Sequence, residues 1–259
     1  MKNLFSLQRF GLLFKKHTSE NYKSYLLSIG VLTGIMFLIM GFATIKINGG
    51  PLRLNQQKMF FVLFLLAAGT IFTSTIFASL GEKNKAIALL TLPATRLEKY
   101  LISWLYSFVI FLIIYTGVFY LVNTSILNIT KQPGEEITVF NIFTEQNTFF
   151  QIFSSFTFLH SLAFLGSIWF EKTQFIKTAF IFLFFISLLQ LLNKQILQKL
   201  FRHYLESAML FSSIAFMRNN ELIIIKMPEI YEMWLTLLFI ILGFIIWLST
   251  YYRLKEKQV

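Results

Sequence analysis

The chain contains no cysteine and no aspartate. Without Cys it can build neither a disulfide frame nor a thiolate metal site. All 12 acidic residues are Glu, a bias for which the sequence offers no physical reason. Charge of either sign is scarce: 14% of the 259 residues are charged, against 56% hydrophobic, and 32 are Phe. A phosphate-cradling loop of the form Gly-x4-Gly-Lys-Ser/Thr, whose backbone amides wrap phosphates while its Lys neutralises them, is also missing. Any ATP-driven role therefore calls for a separate nucleotide-binding protein.

What is present is a set of long apolar runs: Tyr25–Ile45, Met59–Leu80, Leu101–Val122, Phe149–Phe170, Phe175–Asn193 and Met233–Tyr252. A helix rising about 1.5 Å per residue needs roughly 20 apolar residues to cross a hydrocarbon layer about 30 Å thick. Each run meets or nearly meets that length. They hold two basic side chains, His160 and Lys177, and no carboxylate. The expected fold is all-α and polytopic, with six transmembrane helices and little chain left for a soluble domain. A single domain spans 1–259, with 1–24 before the bundle, 25–252 within it and 253–259 as a tail. Met1–Ser24 lacks a long apolar core followed by a small-residue cleavage site, so no removable signal peptide is expected.

The net charge of +11 alone fits a nucleic-acid binder, but in a membrane chain its distribution matters more, and no nucleic acid is expected as partner. With the N-terminus inside, one side carries Lys2, Arg9, Lys15, Lys16, Lys23, Lys83, Lys85, Arg96, Lys99, Lys172, Lys177, Arg253, Lys255 and Lys257. The other carries Lys46, Arg53, Lys58, Lys131, Lys194, Lys199, Arg202, Arg218 and Lys226. Glu divides the opposite way. Cytoplasmic connections retain Lys and Arg, so both termini are expected in the cytoplasm. Trp104, Trp169, Trp234 and Trp247, with Tyr25, Tyr100, Tyr231, Tyr251 and Tyr252, fall near the expected span ends, where amphipathic rings prefer the headgroup level.

The connections carry further information. Leu4, Phe5, Leu7, Phe10, Leu12, Leu13 and Phe14 mix with Gln8, Arg9, Lys15 and Lys16 on a stretch too short to cross, as an interfacial helix would. In Gly81–Tyr100, Gly81 can end the second span. Asn84 can cap a short helix through about Leu92, with Ile87 and Leu90 on one side and Lys83 and Lys85 at its start, and Pro93 breaks it. Thr95-Arg96-Leu97-Glu98 has capping-box spacing, so a new helix begins at about Arg96. The result is a stiff corner; the plainer reading is a simple chain reversal. On the other side, Asn123–Thr148 is polar and acidic, with Lys131-Gln132-Pro133-Gly134 as a turn followed by Glu135, Glu136 and Glu145. In Lys194–Glu232, the apolar stretches Ser207–Met217 and Leu222–Ile225 are too short to span and too apolar to float in water. They read as re-entrant or interfacial helices.

Phe10-Gly11-Leu12-Leu13-Phe14-Lys15-Lys16, with Glu20-Asn21-Tyr22-Lys23-Ser24-Tyr25-Leu26-Leu27, resembles the opening of membrane (permease) subunits of type-two ABC exporters, especially bacteroidete-like ones. Ala88-Leu89-Leu90-Thr91-Leu92-Pro93-Ala94-Thr95-Arg96-Leu97-Glu98-Lys99-Tyr100 is similar to their connection between the second and third spans. The resemblance implies an N-terminal elbow helix over about Asn3–Lys16, including Phe10, Phe14, Lys15 and Lys16. It implies a coupling helix over about Lys83–Leu92, with Lys83, Asn84, Lys85, Ile87, Leu90 and Leu92 meeting a cytosolic ATPase and Pro93, Thr95 and Glu98 shaping the corner. It also implies an outward re-entrant segment before the last span and a second permease subunit, identical or not, completing the path. The membrane is then a bacterial inner membrane, lipid is the remaining partner, and no cofactor is expected.

Rival classes meet the same residues. An ion-coupled carrier needs titrating groups at membrane depth, and only His160 lies there; a lone His is expected to be a neutral, hydrogen-bonded bundle residue. Ser154, Ser155, Thr157 and Ser161 beside it are expected to bond carbonyls one turn back. An enzyme needs a clustered nucleophile or metal set. Glu135-Glu136 has no His nearby, and His17, His160 and His203 are scattered. A structural or assembly-factor membrane protein is the remaining alternative.

Overall fold

The computed structural model describes residues 5–48, 50–78, 87, 91–131, 134, 137–144, 146–201, 205–208, 210, 214–218, 221–225 and 228–256. Six helices in it are long and apolar enough to cross a membrane, the architecture of a multi-pass membrane protein. They are α1 (Leu7–Phe42), α2 (Leu54–Thr75), α3 (Arg96–Thr130), α4 (Gln146–Trp169), α5 (Gln174–Phe201) and α6 (Glu229–Glu256). They run alternately up and down, which places the starts of α1, α3 and α5 and the ends of α2, α4 and α6 at one end of the bundle, here termed the corner end.

From Leu7 on, the N-terminal segment runs into the first span without a break. α1 continues unbroken for 36 residues, about 54 Å at 1.5 Å per residue, well beyond the thickness of a hydrocarbon layer. Its polar stretch stays helical because it holds no proline and bonds along the helix. Thr18 donates to the Phe14 carbonyl and Asn21 to that of His17 (both 2.9 Å), and Lys16 pairs with Glu20 at 3.6 Å.

α4 is the central helix, packed against α2, α5 and α6, while α1 lies chiefly against α3. Small residues set the close crossings. A Cβ at Gly69 of α2 would stand 2.5 Å from the Phe156 ring of α4, and one at Gly243 of α6 would stand 3.1 Å from Thr157 Cγ2. One at Gly166 of α4 would stand 1.9 Å from Thr178 Oγ1 of α5. Around these points Phe61, Phe77, Phe119, Phe156, Phe164 and Tyr115 are almost completely buried. α5 is the peripheral helix, its apolar side chains exposed along its length. The turn that feeds it is tight enough to hold Thr173 at φ 54°, a left-handed conformation that a β-branched residue rarely adopts.

At the opposite end, Gln57 organises the connections. Its amide nitrogen donates to the carbonyls of Leu52 (2.8 Å) and Thr138 (3.0 Å), and its oxygen accepts from Asn123 Nδ2 and the Phe140 amide (both 2.9 Å). One buried side chain thus ties the start of α2, the 137–140 segment and α3, using all four of its hydrogen-bonding positions.

The segment before α6 corrects the expectation of re-entrant helices. β1 (Leu205–Ala208), β2 (Ile214–Arg218) and β3 (Glu221–Ile225) form an antiparallel sheet in that order. Pairing runs from Ile214↔Ile225 to Arg218↔Glu221, which leaves only Asn219 and Asn220 between the paired ends. The β-branched run Ile223-Ile224-Ile225 favours strand on one side, and cross-strand pairing with β2 prevails over the mere apolarity that suggested helix. β1 lies against α5, and Leu197, Phe201, Ile214 and Ile223 are partly buried in one apolar cluster there.

Candidate functional site

At the corner end, Thr95 is the N-cap of α3, in extended conformation. Its hydroxyl accepts from the Glu98 amide at 3.2 Å, and Glu98 Oε2 accepts from the Thr95 amide at 2.8 Å, which is the capping box expected from the spacing. The box is only half of what Glu98 does. Its Oε1 accepts from the amide of Ser6, the N-cap of α1, at 2.9 Å, and from Arg9 Nη2 at 3.0 Å and Nε at 3.3 Å. One carboxylate, fully buried at its side chain while Arg9 is 42% exposed, therefore joins the N-termini of two helices separated by 92 residues. Both helix dipoles favour a negative charge there.

Above this joint α1 and α3 stay zipped by aromatic contacts. Phe14 lies 5.1 Å and His17 4.5 Å from the Tyr106 ring, and Tyr25 lies 5.7 Å from it. His17 Nε2 and the Tyr25 hydroxyl are 2.6 Å apart, and Thr18 and Tyr106 share a short hydroxyl–hydroxyl contact. Tyr106 opens a π-helical stretch, Leu105–Ile110, in which the Phe111 amide reaches back to the Tyr106 carbonyl. The extra residue turns Tyr106 toward α1 and Ser107 and Phe108 toward α4 and α6.

Ser107 meets His160, which is wholly buried. Trp247 Nε1 can only donate, and it stands 3.1 Å from His160 Nδ1, so Nδ1 is the acceptor and the proton sits on Nε2. Nε2 then donates to Ser107 Oγ (3.0 Å), whose own proton goes to the Ser103 carbonyl (2.8 Å). Every polar atom in this chain is satisfied, and His160 is the neutral bundle residue expected. Tyr100 adds a bond from its hydroxyl to the Trp247 carbonyl at 2.8 Å.

Trp247 is consequently a core residue, 8% exposed, and not an interface marker. It lies nine residues inside the end of α6, about 13 Å along the axis. Trp169 and Trp234 remain exposed, and Arg253 covers the Trp169 ring at 4.7 Å. Ser154 and Ser161 bond carbonyls three residues back as expected, at 3.0 and 2.7 Å. Thr157 does not: its hydroxyl is buried without a partner, its side chain turned onto Gly243.

Of the residues assigned to coupling, Lys83, Asn84, Lys85 and Leu90 lie outside the described residues. Ile87 is helical and exposed, Leu92 is half-buried and Pro93 is exposed in a bend that ends at Thr95. Phe10 and Phe14 are half-buried, whereas Lys15 and Lys16 are exposed. The structure thus brings Thr95, Glu98 and the N-terminal segment into one joint. Its missing members, Ser6 and Arg9, were invisible to sequence reasoning because a contact across 92 residues leaves no local pattern; an Arg among apolar residues was the one available hint. Among the described residues no three His or Glu side chains are grouped to hold a metal ion. Glu98 is engaged by two backbone amides and a guanidinium. The chain matches no protein-family model, no curated protein and no solved structure.

Proposed function

We propose that this chain is the permease subunit of an ATP-driven ABC exporter in a bacterial inner membrane, with both termini cytoplasmic and ATP hydrolysis supplied by a separate subunit. Six apolar helices, a resemblance in the N-terminal and corner segments, and a sequence without a phosphate-binding loop support the reading. The observation that carries it is the Glu98 joint. A force applied to the corner that precedes Thr95 has to move α3 and α1 together, because one buried carboxylate holds the first amides of both. In this reading, residues 83–92 dock on the ATPase, the N-terminal third of α1 acts as the elbow, and closure of two ATPase subunits shifts α1 and α3 against the central helix α4. A second permease copy or paralogue completes the path, and the charge-poor interior suits a hydrophobic or amphiphilic cargo.

The test is mild-detergent purification of the tagged chain from its native membrane. A stoichiometric cytosolic protein with a phosphate-binding loop, lost on charge reversal at Lys83 and Lys85, supports the proposal. A chain that comes out alone, or only with other membrane proteins, refutes it in favour of a structural or assembly role.

A further inference from the structure

Between α2, α4 and α5 lies a groove with a volume of about 250 Å³. Carbon from Leu66, Leu162 and Phe182 forms most of its walls, together with Thr70, Ser74 and Thr178. The three hydroxyls are already spent: Thr70 donates to the Leu66 carbonyl (2.7 Å), Ser74 to that of Ile71 and Thr178 to that of Gln174 (both 2.8 Å). The groove therefore makes no hydrogen-bonding demand on an occupant. It is smaller than the roughly 300–1,000 Å³ of pockets that enclose drug-sized molecules, and it has room for part of one hydrocarbon chain lying along it.

Position selects the occupant. The groove runs along helices that are apolar at spanning length, and it is continuous with the exposed apolar face of α5, so hydrocarbon is the solvent at its mouth. Near it, at Gly166, Thr178 packs so tightly on α4 that no side chain fits between. The groove's lining on α5 starts at Phe175, and the exposed Lys172 and Lys177 lie near the same end of that helix, the latter with its ammonium 5.7 Å from the centre of the Phe170 ring. Exposed cations at that end of α5 suit the headgroup level of an anionic phospholipid whose chain lies along the helices. We infer that this groove seats one acyl chain of a bilayer phospholipid, as a resident lipid that fills the gap left by the peripheral packing of α5. The inference is independent of the transport reading.

The test uses the full chain in nanodiscs of phosphatidylglycerol doped with a phosphatidylglycerol carrying a mid-chain diazirine, followed by peptide mapping of photo-adducts. Seating predicts adducts on the α4 wall, at Leu159 and Leu162, that fall at least fivefold in Ala67→Phe, which fills the groove. Labelling of the outer face of α5, at Phe180 and Phe184, stays within twofold. Ala179→Phe, which fills the same space from α5, is the second variant should Ala67→Phe fail to insert. Absence of α4 adducts, or adducts that persist when the groove is filled, overturns the inference.

Discussion

Glu98→Gln tests the joint because it keeps shape and removes charge. The carboxylate presents an acceptor on both sides, Oε2 to the Thr95 amide and Oε1 to the Ser6 amide and Arg9. An amide has only one oxygen, so whichever way it is turned, its NH2 group faces a donor. Turned to keep the capping box, it sets NH2 against Ser6 and Arg9; turned the other way, it loses the cap of α3. Hydrogen bonds to a charged group contribute about 1.5–3 kcal/mol each. Arg9 is half in solvent, which places its share at the low end. The expected loss is about 2 kcal/mol, some thirtyfold in a local opening equilibrium. Arg9→Gln removes only the exposed partner and leaves both amide bonds, so about 0.5–1 kcal/mol is expected. Amide hydrogen exchange of residues 6–14 in nanodiscs reads the opening directly, with α4 as the internal control. Exchange in Glu98→Gln that equals the native rate, or a larger effect from Arg9→Gln, refutes the assignment of Glu98 as the centre of the joint.

Three other substitutions follow from buried geometry, each read as the unfolding midpoint in detergent or nanodiscs. Gly166→Ala drives a Cβ to within 1.9 Å of Thr178 Oγ1, so about 1–3 kcal/mol is lost to overpacking; Thr178→Ala in the same chain restores part of it, and no rescue would mean the crossing is not where the strain lies. Gln57→Leu orphans two carbonyls and two donors at once, and with about 1–3 kcal/mol for each buried unsatisfied group it should be the most damaging of the set; a loss under 1 kcal/mol contradicts the network. His160→Leu leaves the Trp247 N–H buried without an acceptor and should cost more than Trp247→Phe, which leaves Nδ1 without its donor but keeps the aromatic packing, a ranking that denaturant titration reverses if the ring merely fills space.

The six helices were legible because apolar run length is a property of composition within a window, independent of any distant partner. The capping box at Thr95 and Glu98 was legible for the same reason: both halves lie within one turn. The failures share the opposite character. Trp247 was placed at an interface from its nearness to the end of the sixth apolar run, whereas its burial is set by His160 on another helix. The segment after α5 was read as helical from apolarity alone, although the β-branched run Ile223–Ile225 already leaned toward strand. The N-terminal segment was read as interfacial because its apolar stretch is too short to cross; Thr18, Asn21 and the Lys16–Glu20 pair bond within the helix and carry it on into the first span. Glu98 shows the limit most sharply. Its local role could be read from three residues, but the same atoms also hold α1, and that second role exists only once the bundle has brought Arg9 within 3.0 Å. A residue that caps one helix for local reasons becomes the point where two helices must move as one. Together with the Tyr106 contacts higher up, this buried charged joint fixes the register of α1 on α3.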